Sequence, residues 1–430
     1  MENPRELALK SLIKTDTNSV FSNLEINTTL ERSKMNSVDK GLYTALYLGV
    51  LEKKITLDYI ISKYSKIKLE DIDIETLNVL RLGIYQLYFL DKIPDYSATD
   101  ESVNLAPKKS KGFVNAVLRN FLRNGKKVEY PKNKYDRVLL EYSYPKEIIG
   151  VFVDSYGEKT AFDLITKSKN DKTVSLRINS LKTSTKEIFD MLVARGDTPI
   201  QKGEIVLTTL PISEIKDLLD FGLVFVQDEA SYICSAVLNA KPNSTVLDAC
   251  ACPGGKTFSI SIGMENKGEV IACDLHANKL SLVEKGAKKL GINIISVKEQ
   301  NGKIYNEDFK EKFDYVLCDV PCSGLGIIFK KPDIKYKPIE NINGLPKVQY
   351  EILSNCANYV KKDGILVYST CTLNKAENQD NVSKFLEENK NFTYVDFEVN
   401  NVKSQNGHYT FMPHINETDG FFVAKFKRIK

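Results

Sequence analysis

The chain has 430 residues, 42% hydrophobic and 10% aromatic, ordinary for packed globular protein and long enough for roughly two to four domains. Lys and Arg number 60 against 56 Asp and Glu, and a net charge of +4 is too small to require a nucleic-acid partner, so its distribution carries more weight than its total. No run of about 18 apolar residues marks a membrane span, and the charged opening Met1-Glu2-Asn3-Pro4-Arg5-Glu6 is unlike a secretory leader, so a soluble cytoplasmic protein with no membrane partner is expected.

In chain order, residues 1–128 carry helical periodicity and few strand signals. Leu77, Leu80, Ile84, Leu87 and Tyr88 fit one helical face, and Pro94 breaks the pattern, so an all-α domain is expected. Its carboxyl end is basic: from Pro107 to Lys127 the charged residues are Lys108, Lys109, Lys111, Arg119, Arg123, Lys126 and Lys127. Phe113, Val114, Val117, Leu118, Phe121 and Leu122 recur there at helical spacing, leaving Arg119 and Arg123 one turn apart on the other face. Such a stripe is either a solvated face or an anion-binding, phosphate-directed surface.

Residues 140–225 change pattern. Val174–Asn179, Ile205–Leu207 and Leu223–Val226 look like strands, while Ser184–Arg195, ending at Gly196, and Ser213–Leu219 look like helices, together a small α+β module. From 226 to 430 short β-rich runs alternate with helix-length stretches, the pattern of a doubly wound parallel sheet.

All eight cysteines lie beyond Tyr232 and none forms a C-x-x-C pair, so neither a disulfide framework nor a zinc site is indicated. The three histidines, His276, His408 and His414, have no metal-binding spacing, and no metal is expected.

The strand Thr245-Val246-Leu247 leads into Asp248-Ala249-Cys250-Ala251-Cys252-Pro253-Gly254-Gly255-Lys256-Thr257, a glycine-rich turn where a ligand can approach backbone amides. A P-loop would need glycine where Cys250 stands, and the G-x-G-x-x-G fingerprint of dinucleotide sites is absent. The next strand ends in Asp274, placed to accept both hydroxyl hydrogens of a ribose, and the strand Ile294–Val297 leads to Gln300-Asn301-Gly302, where a side-chain oxygen can take an adenine amino hydrogen. Any one of these could be only a turn. The three in order point to a nucleoside without phosphates, hence to S-adenosylmethionine.

Two further strand-like runs close on thiols: Tyr315-Val316-Leu317-Cys318-Asp319-Val320-Pro321-Cys322 and Ile365-Leu366-Val367-Tyr368-Ser369-Thr370-Cys371. A thiol at the carboxyl end of a parallel strand points into the crevice where open α/β sheets bind ligands. Spacing leaves open which of the two attacks.

The run Asp248–Thr257, the Asp319-Val320-Pro321-Cys322-Ser323-Gly324 turn, Lys331-Pro332-Asp333, Tyr368-Ser369-Thr370-Cys371-Thr372 with Glu377-Asn378, and Asp419-Gly420-Phe421-Phe422-Val423-Ala424 resemble the Sun-type RNA 5-methylcytosine methyltransferases. Pro4–Ala8, Ser37–Lys40, Leu80–Gly83 and Gly112–Arg119 resemble the NusB-like RNA-binding domain fused to the bacterial RsmB branch of that family. The resemblance spans essentially the whole chain. It implies a Rossmann-like class I methyltransferase domain behind the helical one, acting on 16S rRNA at the cytosine conventionally numbered 967, on naked rRNA or in early assembly, with no obligate protein partner.

Carried over by position, the resemblance places Cys250, Ala251, Cys252, Pro253, Gly254, Gly255 and Lys256 around the cofactor's methionine and ribose, Asp274 on the ribose, Asn301 by the adenine, and Asp319 near both cofactor and target base. Family members usually have aspartate at Asn301, whose amide accepts a hydrogen bond with less charge, and alanine at Cys252, where this chain has an oxidisable thiol. Carbon 5 of cytosine is too electron-poor to take a methyl group directly, so a thiolate first adds to carbon 6 and an acid near ring nitrogen 3, matched by Asp319, assists. A free thiol has a pKa of about 8.5, so its surroundings must activate the attacker. DNA enzymes attack with a proline-cysteine motif, which would favour Cys322. The RNA members use threonine-cysteine, so the resemblance assigns Cys371 as nucleophile and Cys322 as the thiol that assists release. Cys318, Cys234, Cys273 and Cys356 are expected in the core. Arg119, Arg123, Arg177, Asn179, Lys330 and Lys331 are candidate RNA contacts. A tRNA or other rRNA cytosine as target, or a non-catalytic RNA-binding factor, remain the alternatives.

Overall fold

The computed structural model describes residues 2–18, 22–168 and 173–430. They fall into two units, one made of 1–167 together with 328–337, the other of 168–327 and 338–430. No helix among the described residues is long and apolar enough to cross a membrane.

The first unit is helical, as its periodicity requires. The helices Ser37–Glu52, Lys54–Tyr64, Ile74–Phe89, Asp95–Leu105 and Lys111–Arg123 enclose a core that includes Tyr43, Leu46, Tyr47, Leu80, Ile84, Leu118 and Phe121. Side-chain caps set two of the starts, since Asn36 accepts the amide of Asp39 and Asp73 accepts that of Thr76, each satisfying a donor the helix cannot. Arg81 is buried in this core between Asp58, which it meets at 2.7 Å, and Asp16, at 3.0 Å. Beyond residue 128 the unit continues into two helices, Lys134–Glu141 and Lys146–Lys167, so the helical unit runs past the boundary at 128 and into the residues expected to open the α+β module.

The unit also takes in Ile328–Lys337, which arrives from far along the chain. The hydroxyl of Tyr336 donates to the Leu51 carbonyl at 2.8 Å, Ser22 donates to Asp333, and the Lys335 ammonium reaches the Glu52 carbonyl at 3.2 Å over the ring of Tyr144. Burial pulls the Lys335 ammonium down to about 7.

The second unit begins with a four-stranded antiparallel sheet, β1 (Val174–Ile178), β2 (Ile200–Lys202), β3 (Ile205–Thr208) and β4 (Val224–Val226), in the order β2-β3-β1-β4. A helix over Thr185–Ala194, closed at its start by a Ser184/Glu187 capping box, packs Ile188 and Leu192 on its apolar face. The single helix expected over Ser213–Leu219 is instead a 3₁₀ turn, Ile212–Glu214, and a short helix, Lys216–Asp220, separated where Ile215 leaves helical geometry at φ −114° and ψ 11°.

The larger sheet holds the parallel strands β5 (Ser244–Asp248), β6 (Gly268–Asp274), β7 (Ile295–Glu299), β8 (Phe313–Asp319) and β9 (Val360–Thr370). After β10 (Phe392–Tyr394) come a two-stranded ribbon, β11 (Glu398–Val399) with β12 (Val402–Lys403), then β13 (His408–Phe411) and β14 (Phe421–Arg428). The order β10-β14-β9-β8-β5-β6-β7 puts the topological switch between β5 and β8, with β14 antiparallel to β9. Open α/β sheets bind ligands outside the carboxyl ends at such a switch. Tyr368, Phe385, Phe422 and Phe426 are fully buried beneath it; a side chain of this size stabilises by about 1.5–3 kcal/mol when removed from water.

Candidate active site

The glycine turn follows β5 on the switch. Thr257 donates to Asp248 Oδ2 at 2.7 Å and closes the turn on itself, while the Ala251 amide donates to the Cys273 carbonyl at 2.8 Å and ties it to the end of β6. Gly254 adopts φ 115°, and a Cβ there would stand 2.5 Å from the Phe258 ring, so only glycine fits. The helix Gly255–Gly263 then starts with its unpaired amides at the turn. Asp248 is buried with Oδ1 unpartnered, and desolvation pushes its carboxyl up to about 7.

Because β5, β6 and β7 are neighbours, Asp274 and Asn301 follow the adjoining strand ends. Asp274 Oδ1 accepts the His276 amide at 2.9 Å, and Asn301 Oδ1 accepts the Lys303 amide at 3.0 Å. Cys252 is half-buried beside Asp274; desolvation first and the Asp274 charge second push its thiol up to about 12. The acceptors at these strand ends suit an adenosyl amino acid: the Asp274 carboxylate for a diol and the Asn301 amide oxygen for an adenine amino group.

On the other side of the switch, β8 and β9 pair in parallel with Asp319 opposite Ser369. Their turns bring Cys322 Sγ to 3.1 Å from Cys371 Sγ, a thiol contact and far longer than a disulfide bond of about 2.05 Å. The hydrogen bond to Cys371 is the largest cause raising the Cys322 thiol well above its ordinary value, and burial is the next. Asp319 accepts from Lys256 Nζ at 2.8 Å and from Ser369 Oγ at 2.7 Å. Burial pulls the Lys256 ammonium down, but Asp319 together with Cys234 and Cys371 makes the net shift upward; the same ammonium lies 4.7 Å from the Phe421 ring centre. The catalytic and cofactor candidates read from the sequence thus follow neighbouring strands of one sheet edge. Among the described residues no group of three or more His, Cys, Asp and Glu could hold a metal.

Four supporting residues add to the site: Ser369 lies two residues before Cys371 and Asp248 heads the glycine run, so motif position announces both, Glu377 follows the Cys371 turn, and nothing in the sequence announces Gln349. The fully buried Glu377 accepts the Ser323 amide at 2.9 Å and Gln349 Nε2 at 2.7 Å on Oε2, and Asn374 Nδ2 at 3.0 Å and Thr372 Oγ1 at 3.5 Å on Oε1. Ser323 and Thr372 meet at 2.6 Å, and the Gly326 amide donates to the Cys371 carbonyl at 3.0 Å. A Cβ on Gly326 would stand 1.9 Å from the Gly420 carbonyl oxygen, so the Asp419-Gly420 turn closes directly on this loop.

The RNA candidates divide. Arg119 and Arg123 are exposed on the helix Lys111–Arg123, whose other face buries Val114, Val117, Leu118 and Phe121; Arg119 Nε donates to Asn115 at 2.9 Å. Lys330 is exposed and Lys331 half-buried, both in the segment belonging to the helical unit. Arg177 and Asn179 correct the expectation of RNA contact. Arg177 is 2% exposed, paired with Glu204 and stacked 4.7 Å over Tyr232, and desolvation lowers its guanidinium below the ordinary value. Asn179 is fully buried, with Nδ2 donating at 2.8 Å to the carbonyls of both Gly222 and Leu290. Asn179 thus joins the small sheet to Leu290, while Arg177 is held inside by Glu204 and the Tyr232 ring.

Residues 235–427 match the family model described as 16S rRNA methyltransferase RsmB/F, and residues 2–123 match the NusB family. The chain is similar over 99% of its length to 98% of a probable ribosomal RNA small subunit methyltransferase B of Bacillus subtilis, at 33% identity. A counterpart in Synechocystis, with the same description, is 29% identical over the whole of both chains. Among solved structures, that of PH0851 superposes with a TM-score of 0.83 at 23% identity, covering 100% of this chain and 99% of the other, a likeness of fold.

Proposed function

This chain belongs to the 16S rRNA methyltransferase RsmB/F family, with an amino-terminal NusB domain, and from that membership we propose that it methylates carbon 5 of cytosine 967 of 16S rRNA through a covalent cysteine adduct. The observation that carries the chemistry is the thiol pair, 3.1 Å apart beside Asp319 and across the switch from the glycine turn. A non-catalytic RNA-binding factor has no use for two thiols set beside a nucleoside-shaped turn.

When bound, S-adenosylmethionine supplies the electrophilic methyl group. The turn Cys250–Lys256 would hold its methionine part and ribose, Asp274 would accept from the ribose hydroxyls, and Asn301 would accept from the adenine amino group. Cys371 adds to carbon 6 of the cytosine, and Asp319 stands by ring nitrogen 3 to assist the addition. The two sulfurs lie 3.1 Å apart and either can donate to the other; the attack is assigned to Cys371 because it stands in the threonine-cysteine turn. Once the carbon 5 proton has gone to a base, Cys371 leaves and Cys322 assists release. The target base must be splayed out of any stack to be reached, so the substrate is a loop or partly unfolded rRNA, free or early in assembly.

The test is methylation of deproteinised rRNA with labelled cofactor, followed by mapping of the modified nucleotide. Label at cytosine 967 is expected. Label on a different rRNA cytosine, or on tRNA alone, removes the site assignment and leaves the chemistry.

Arg119 and Arg123 supply sequence-independent affinity in this reading. Reversing both to Glu should weaken rRNA binding at low salt and flatten the dependence of log K on log salt by about 1.4, from about 0.7 per lost single-strand phosphate contact. Unchanged low-salt affinity in a filter-binding titration would remove the helix from the RNA surface.

A further inference from the structure

We propose that Glu377 is a positioning residue for the thiol pair, a buried carboxylate that splints the Cys322 turn to the Cys371 turn without touching substrate. The proposal rests on the two-thiol chemistry above. A carboxylate is costly to bury, and it is kept in a core only where several donors converge on it. Here the two oxygens divide the work: Oε2 takes the Ser323 amide from the Cys322 turn and Gln349, and Oε1 takes Asn374 and Thr372 from the Cys371 turn. Gln349 Nε2 also donates to the Pro321 carbonyl at 3.0 Å, gripping the Cys322 turn a second time, and the Tyr368 hydroxyl donates to the Glu377 carbonyl at 2.6 Å, fixing the residue to β9.

This geometry explains why a carboxylate stands at 377. An amide of the same volume accepts on one side only and turns its NH₂ toward donors on the other, so Glu377→Gln should release one turn while keeping the packing. A displacement of about 1 Å at reacting groups costs on the order of 10²-fold in rate. The Glu377 charge is also among the lesser causes that raise Cys322, after the Cys371 hydrogen bond and burial.

A purely structural role predicts lost stability and nothing specific to the thiols, so the experiment measures their spacing directly. A diazenedicarboxamide oxidant joins two neighbouring thiols: the S–S bond forms, two protons and two electrons pass to the N=N bond, and a hydrazine results. With the full-length protein, closure of Cys322–Cys371, identified by peptide mass spectrometry, should be at least about tenfold slower in Glu377→Gln, and kcat for methyl transfer about 10²-fold lower with the KM for cofactor unchanged. Folded Glu377→Gln that closes the disulfide at the wild-type rate overturns the proposal, whatever its activity. If that variant fails to fold, Asn374→Ala, which removes a single donor to Oε1, decides by the same comparison. The oxidation needs no RNA. Slower closure together with a wild type that methylates no rRNA would leave the splint standing and remove the functional reading instead.

Discussion

Cys371→Ser will lose turnover by on the order of 10⁴-fold or more and will form no covalent complex with rRNA, because removing a nucleophile removes the step it performs. Cys322→Ser will behave in the opposite way and accumulate a protein–RNA adduct that survives denaturing electrophoresis. The asymmetry comes from two positions that look equivalent by spacing. The sulfurs are 3.1 Å apart and either can donate to the other, so the two roles rest on the threonine-cysteine and proline-cysteine turns in which they stand. Single-turnover methyl transfer and the gel assay report the two halves separately. Adducts in Cys371→Ser and none in Cys322→Ser would exchange the roles.

The second large effect is expected at Asp319. Replacement by Ala should lower kcat by about 10²–10⁴-fold, the range for a lost general acid, and should also destabilise the fold. Lys256, with a side chain 12% exposed, would be left without its partner at 2.8 Å, although Asp319 itself is 26% exposed; the loss should fall below the about 3–5 kcal/mol of a fully buried pair. Asp319→Asn keeps an acceptor for Ser369 while removing at once the carboxyl proton and the charge that holds Lys256. The Lys256 ammonium is held above its ordinary 10.5, so the stability it contributes is complete below that value and is lost only as pH rises through the raised one. Melting curves near neutral pH therefore read the whole of it. An Asp319→Asn enzyme with wild-type kcat would show that neither the charge nor the proton of this carboxyl enters the reaction.

The sheet edge was legible because its parallel strands are written as short apolar runs, and the residues at or just beyond their carboxyl ends, Asp248, Asp274, Cys322 and Cys371, gather along one edge of the sheet. Arg177 was not legible in the same way. A basic residue in a strand is read as a surface contact, and its partners, Glu204 and Tyr232, come from elsewhere in the chain with nothing local to announce them. Glu377 failed for the matching reason: a carboxylate after a strand-end turn looks solvated until the donors from Ser323 and Gln349 are brought to it by tertiary packing. The strands β10 to β13 are two to four residues long, too short for a period to emerge.

The segment Ile328–Lys337, built into the helical unit from far along the chain, bears on how the protein is made. Ser22 and its partner Asp333 are separated by 311 positions, and Leu51 and Tyr336 by 285. During synthesis the amino-terminal helices therefore emerge long before the residues that complete their packing, with the Leu51 and Glu52 carbonyls and the Tyr144 ring waiting for partners not yet translated. Contacts of such separation close late and slowly. A single cut after Lys167 would not yield a finished helical unit, and dissecting this protein calls for a fragment that carries the later segment in trans or on a tether.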